Sequence, residues 1–496
     1  MIRELPELRE DAAGLSRALA RNRYRRAAGL SAEETLREML AAHPLAASAE
    51  GLAQASEALA EAETEEPKRP ARIARLSALR DFLLRARAEA LEPAAAEDLW
   101  RLPARPLVRP PGDAGLHGAL PAIAVERELS ILRSRERRAE MERALAAALQ
   151  PADAARGAVW DAAQEALGDL PPFALHARGW TTQGSPEVAA ERVLQGTDAV
   201  MSDLGGWLLQ RHSEAGGGAE RHDVLHLLHA PRCASAFPRG EMMRTVRRWT
   251  EMLRLEFAAK IDDEVRPLKM SGACAEAIDP PYEARVSLWP EEGPRALSSL
   301  LGALSVAELR LGPPEDAPPE DLWLSDPAVP WACRALFAGL LREPDFARRC
   351  AKADLSRDDE RAIAIAAVID ARLAAARTLS SLKAHELGLG ARAEQFHRDA
   401  FRRATGAELP AGLALRELDP WLGSFAELRG RSFAARARFF LREQYDQDWW
   451  RNPRALPAVR GLWARGGRPT LVELWAEIGG EPSVEPLLED LAEACR

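Results

Sequence analysis

The chain has 496 residues and carries 67 Lys and Arg against 76 Asp and Glu, a formal net charge of −9. Acids and bases are mixed along Arg/Glu faces rather than gathered in blocks, so the field of the whole molecule repels a phosphate backbone and nucleic acid is excluded as an expected partner. Apolar residues make up 47%, yet only 3 Tyr and 12 Phe are among them, and the excess of Ala, Leu and Arg favours helices over sheets.

A chain of this length exceeds one ordinary core, so two domains or one large helical body is expected. The five cysteines (Cys233, Cys274, Cys333, Cys350 and Cys495) are widely spaced with no C-x-x-C pair. That pattern speaks against a disulfide framework or a zinc knuckle and for a reducing compartment. The N-terminus, M-I-R-E-L-P-E-L-R-E-D, has acids where a signal peptide needs an apolar core. The most apolar run, 362–376, is interrupted by Asp370 and Arg372 and falls short of the ~20 apolar residues a bilayer requires. A cytoplasmic protein with no membrane partner is expected.

From Pro6 to about Arg101, Leu and Ala recur at three- and four-residue spacing between Arg and Glu, which predicts amphipathic helices paired as hairpins. The basic run Arg21-Asn22-Arg23-Tyr24-Arg25-Arg26 is followed by Glu33, Glu34 and Glu38 and reads as a solvated helix face. Residues 99–121 are too rich in Pro and Gly for a helix and are expected to form an extended crossing loop. Helical periodicity resumes over Ala124–Leu149 and again over 151–212, ending at Gly216-Gly217-Gly218, a hinge or exposed turn. This divides the chain into a helical half at 1–215 and a second half at 216–496. Within the second half, Tyr282–Pro290 alternates apolar and polar residues between proline-bearing turns and is the best strand candidate. Helices are predicted at 294–311, 328–342 and 357–389, then a closing group over 391–496 punctuated by Pro410, Pro420, Pro453 and Pro469. No fixed-period repeat is visible.

The densest set of metal-ligand residue types is R-H-D-V-L-H-L-L-H-A-P-R at 221–232. On a helix, His222, His226 and His229 share an arc of about 60° opposite Val224, Leu225 and Leu228, so they are expected to face outward. The helix rises about 10 Å from His222 to His229, too far for three rings to converge on one ion. A neighbouring pair could share zinc only with a ligand from elsewhere. His385-Glu386 begins like H-E-x-x-H, but the fifth position is Leu389, and one imidazole cannot hold the ion. Nucleophile-elbow, phosphate-loop and dinucleotide-binding signatures are absent.

Four stretches carry a resemblance: R-H-D-V-L-H-L-L-H-A-P-R-C-A-S-A-F-P, Y-E-A-R-V-S-L-W-P-E-E-G-P-R-A-L-S-S-L-L, L-S-D-P-A-V-P-W-A-C-R-A-L-F-A-G-L-L-R-E-P-D-F, and L-R-E-Q-Y-D-Q-D-W-W-R-N-P-R-A with a later P-L-L-E-D-L. Taken in order, they resemble the oligoendopeptidase F/thimet oligopeptidase family of zinc metallopeptidases. The resemblance implies a mainly α, zincin-like architecture, with two helical halves around a deep groove and a small β-sheet on one wall.

The resemblance also implies a loss. Where the family continues L-S-S-L-L with H-E-x-x-H, this chain has Gly302-Ala303-Leu304-Ser305-Val306. The two zinc imidazoles then fall on Gly302 and Val306, the water-activating carboxylate on Ala303, and the third ligand, a Glu, on Trp331. None of these offers a lone pair to a metal. Gly423 and Glu427 stand where the family's substrate-holding phenols would be. The implied protein has no catalytic residues, no zinc and no other cofactor: a pseudoenzyme whose groove retains a peptide or protein segment. On this reading an extended peptide adds as a strand along Tyr282, Arg285, Ser287 and Trp289. Two alternatives remain open from the sequence. One is a metal-dependent hydrolase with a site moved to His222, His226 and His229, and the other is a structural or regulatory interaction subunit.

Overall fold

The computed structural model describes residues 5–65, 67–109, 119–177, 180, 185–212, 218–343, 345–467 and 470–496. Helices dominate, as the composition predicts, with small sheets between them. Helices Pro6–Ala27, Leu36–Ala42, Ala49–Glu65, Pro70–Leu91 and Pro93–Arg101 make up the N-terminal part. Three of them start on a proline, whose missing N–H costs nothing in the first turn. Their apolar stripes close on a core that includes Leu8, Leu15, Met39, Leu59, Leu76 and Leu83.

Two expectations for this region need correction. Residues 99–101 belong to a helix, and the chain turns extended only at Pro106–Val108, which pairs antiparallel with Leu120–Pro121. Residues 110–118 of the expected crossing loop, and Gly216 and Gly217 of the expected hinge, lie outside the described residues. The basic run is not simply solvated. Asn22 and Tyr24 are buried, Arg23 donates to Glu276 at 3.2 Å, and Arg26 stacks over Trp100 at 4.7 Å, so the run fastens the first helix to the sheet and to its neighbour.

The strand read at Tyr282–Pro290 is present as Glu283–Leu288, with Ala284, Val286 and Leu288 buried on the alternating face. It is the middle strand of three. Lys260–Asp262 pairs with it in parallel on one side, and Ala273–Asp279 pairs antiparallel on the other.

The helix predicted at 294–311 is Pro294–Leu311. The next, Ala328–Ala338, continues as a 3-10 turn through Gly339–Arg342. Asp326 caps its start, its Oδ1 accepting from the Ala328 N–H at 3.0 Å, and is held by Arg429 at 2.7 Å. Burial alone would push the Asp326 carboxyl up, but Arg429 and the backbone donors hold it below its ordinary range. This helix is clasped between Pro294–Leu311 and Gly423–Tyr445, and a glycine allows the close approach on each side. A Cβ at Gly302 would meet Arg334 Cγ at 2.8 Å and the Arg334 carbonyl oxygen at 2.9 Å, and a Cβ at Gly430 would meet Trp331 Cβ at 2.5 Å. Trp249, Trp449, Trp450, Phe337 and Phe346 complete the surrounding core, and Trp249 Nε1 donates to the Trp450 carbonyl at 2.9 Å.

The long helix Arg357–Leu387 opens on a Ser356/Asp359 capping box. Its interrupting Arg372 is buried and donates to the Leu194, Arg403 and Ala404 carbonyls, closing the C-terminal ends of two neighbouring helices. The core around it joins Val125, Leu145 and Val193 to Val224, Ile369, Phe425 and Leu487, so the break at 216 does not separate two cores. No described helix is long and apolar enough to cross a membrane.

Candidate functional site

The histidine-rich segment forms the short helix Arg221–Leu228, with His229 as its C-cap. The expectation that its histidines face outward is overturned: His222, His226 and His229 are all buried. Each ring has gone to a different neighbour. His222 Nδ1 lies 3.0 Å from Glu142 Oε2, His226 Nδ1 donates to the Ser130 carbonyl at 2.9 Å, and His229 lies against Gly293. Burial, and then the charge of Arg295, lowers the His229 pKa from its ordinary 6.5 to about 4. The polar side of this helix meets a buried ionic lattice. Asp223 is held by Arg138 at 2.9 Å and Arg135 at 3.2 Å, and Arg221 reaches Glu142 at 3.0 Å and Glu126 at 3.1 Å.

Among the described residues, one group of three donor atoms, from Glu142, Glu220 and His222, lies close enough for a metal ion. Its members are already engaged. Glu142 accepts from Arg221 and from the His222 backbone N–H, and Glu220 is the helix's N-cap. The group thus serves as a helix start, with His222 Nε2 left buried without a hydrogen-bond partner, and His226 and His229 take no part in it.

Beside this helix lies a central cavity of about 350 Å³, lined by helices Pro294–Leu311, Ala328–Ala338, Arg357–Leu387 and Gly423–Tyr445. Trp331 and Glu427 reach its wall, whereas Gly302, Ala303 and Val306 do not. Gly302 is instead pressed onto Arg334, and Ala303 is fully buried. At position 302 there is neither a donor nor the space for one.

The lining contains no His or Cys. Its two carboxylates are already paired: Asp370 with Arg295 at 3.2 Å, and Glu427 with Arg431 at 2.6 Å. Burial would push the Asp370 carboxyl up, but Arg295 and Arg431 outweigh it and hold it low. Such a donor set does not fit zinc, which takes three or four N, S or O ligands free of competing cations.

The groove-edge expectation also fails. Because Glu283–Leu288 is paired on both sides, its backbone offers no free edge to an added strand. Ser287 is buried and donates to the Ala27 carbonyl at 3.0 Å, Arg285 is tied to Glu283, and Trp289 lies under Arg127 at 3.8 Å, while Tyr282 alone of the four is exposed. His385 donates to the Pro420 carbonyl at 3.0 Å, and Glu386 pairs with Lys383, so neither is directed to a common ion.

No protein-family model and no curated sequence matches the chain. Solved structures do. A carboxypeptidase from Pyrococcus furiosus matches 100% of both chains with a TM-score of 0.57 at 11% identity. An M32 carboxypeptidase from Deinococcus radiodurans R1 matches 99% of this chain and 98% of its own, with a TM-score of 0.56 at 13% identity. The fold is that of these peptidases. A candidate oligoendopeptidase F from Bacillus anthracis shares it over 89% of this chain and 82% of its own (TM-score 0.56, 13% identity). The mainly α, zincin-like architecture expected from the resemblance is therefore the observed one, and at these identities the likeness is one of fold.

Within that peptidase fold the sequence reading overlooked the arginines. Arg295, Arg334, Arg342, Arg377, Arg431 and Arg438 all line the cavity. The available signal was position: Glu427, Arg431 and Arg438 recur at spacings of four and seven on one face of a helix, and Asp370 interrupts the most apolar run of the chain.

Proposed function

We propose that this protein has kept the metallopeptidase fold without the hydrolysis, and that it acts by binding at its central cavity. The contact at Gly302 carries the reading. The position to which the resemblance assigns the first zinc imidazole is closed by the Arg334 backbone, and metal-assisted hydrolysis needs both a gripped cation and an activated water. Support also comes from the lining, where guanidinium groups already hold both carboxylates. Zinc is accordingly expected to be absent, and no other cofactor is called for. A relocated metal site at His222, His226 and His229 is not favoured, because the three rings are hydrogen-bonded or packed in separate places.

What remains for such a cavity is recognition, by side chains rather than by strand addition, of a peptide, a protein segment or a smaller ligand. A cytoplasmic setting suits five free cysteines, three of them buried. The test is hydrolysis of a mixed fluorogenic peptide library by the full chain, with zinc supplied and with a chelator. No chelator-sensitive cleavage is expected, and cleavage that zinc restores after chelation would refute the proposal.

A further inference from the structure

The cavity is over-supplied with cations. Six guanidinium groups line it against the carboxylates of Asp370 and Glu427, and two more carboxylates stand behind the wall, Asp490 between Arg342 and Arg438 and Glu343 at 3.9 Å from Arg438. Six against four leaves an excess of two positive charges around a space of about 350 Å³.

Two of the six have no carboxylate partner among the described residues. Arg334 Nη2 donates to the Ala273 carbonyl at 3.2 Å and to Ser299 Oγ at 3.3 Å, and Arg377 Nε donates to the Leu373 carbonyl at 3.2 Å. A third, Arg342, keeps a buried Nε without any acceptor. Burial, with repulsion from neighbouring arginines, lowers the pKa of both Arg334 and Arg342. Guanidinium groups brought together and partly buried with too little counter-charge are costly, and each buried N–H left unmade costs about 1–3 kcal/mol. An anion removes both costs at once.

We propose that the cavity is a binding site for a small phosphate-bearing anion. The inference rests on the reading of this cavity as a place of binding rather than cleavage. An excess of two charges calls for more than one negative charge on the ligand. The arginines come from four different helices, Pro294–Leu311, Ala328–Ala338 with its 3-10 extension, Arg357–Leu387 and Gly423–Tyr445, and so approach from several sides. A tetrahedral phosphate presents acceptor oxygens in several directions, whereas a single carboxylate presents one planar pair to one fork. Ser298 adds a hydroxyl to the same lining.

The experiment is isothermal titration of the full-length protein with pyrophosphate, inorganic phosphate, citrate and acetate at matched ionic strength. Saturable one-to-one binding of pyrophosphate or phosphate is expected, tighter than citrate and with acetate silent. Arg377→Gln and Arg334→Gln should each weaken it about tenfold or more, the loss of one charge-assisted pair. Arg402→Gln, an exposed arginine paired with Glu408, should leave it unchanged. Arg377→Gln keeps the test decisive should Arg334→Gln fail to fold, because Arg334 also supports the close helix contact. Absence of saturable binding, tighter binding of citrate, or equal affinity in Arg377→Gln would overturn the proposal. Each leaves the inactive-peptidase reading standing, just as zinc-dependent cleavage would overturn that reading without abolishing a measured phosphate affinity.

Discussion

Replacing Gly302 with alanine should destabilise the protein, against the usual direction of that change. In the middle of an exposed helix, Gly→Ala gains about 1 kcal/mol, because glycine gives up more backbone freedom on folding. Gly157, within helix Asp153–Leu167, has nothing within 4 Å of a built Cβ, so Gly157→Ala should show that gain. At Gly302 the added methyl would sit 2.8 Å from Arg334 Cγ and 2.9 Å from the Arg334 carbonyl oxygen. The side-chain carbon can swing away, but the carbonyl is fixed in the helix ladder, so the two helices must separate. Overpacking of this kind costs about 1–3 kcal/mol. Set against the intrinsic gain, the net loss reaches about 2 kcal/mol, and the two variants should differ by about 1–3 kcal/mol. For a chain of 496 residues 1 kcal/mol moves the melting temperature by only about 1 °C, so urea titration followed by tryptophan fluorescence is the better assay. If Gly302→Ala is as stabilising as Gly157→Ala, the helices are not in contact there, and the argument that the family's zinc position is closed fails with them.

Three further outcomes follow from the same coordinates. Restoring the family motif with Gly302→His, Ala303→Glu and Val306→His should not restore zinc binding, since the histidine at 302 has no room; micromolar or tighter zinc affinity by calorimetry would contradict this. Asp223→Ala should cost about 3–5 kcal/mol in urea titration, because it strands the buried Arg138 charge, and a loss below about 1 kcal/mol would show the lattice to be dispensable. The third concerns pH. His229 has a folded-state pKa of about 4 against 6.5 when exposed, so the unfolded chain takes up its proton first on acidification. Its contribution is therefore complete above about pH 6.5 and is lost as pH falls toward 4, by an order-of-magnitude total of about 3 kcal/mol. The stability difference between wild type and His229→Gln should shrink or reverse over that window, and a difference flat from pH 8 to pH 4.5 would refute the assignment.

Elements marked by local chemistry were legible in the sequence. Pro294 at the first turn bounds the 294–311 helix, the Ser356/Asp359 pair starts the 357–387 helix, and period-two alternation marks Glu283–Leu288. Features set by distant partners were not. The helical wheel put the three histidines on one side of the helix, but it could not show that Glu142, some 80 residues upstream, and the Ser130 carbonyl would close over them. Alternation likewise placed a strand at Tyr282–Pro290 without revealing that Lys260–Asp262 pairs along the strand's other side. The cavity arginines were hidden for the same reason. On any one helix an arginine among alanines reads as a solvated position, and only the convergence of four helices makes six of them neighbours.

The central claim is that the positions to which the resemblance assigns the zinc ligands cannot hold the ion. Its most direct test is elemental analysis of the full-length protein after incubation with excess zinc and exhaustive desalting. The account predicts that no zinc is retained. An equimolar amount of zinc surviving desalting, and released by chelator, would contradict it.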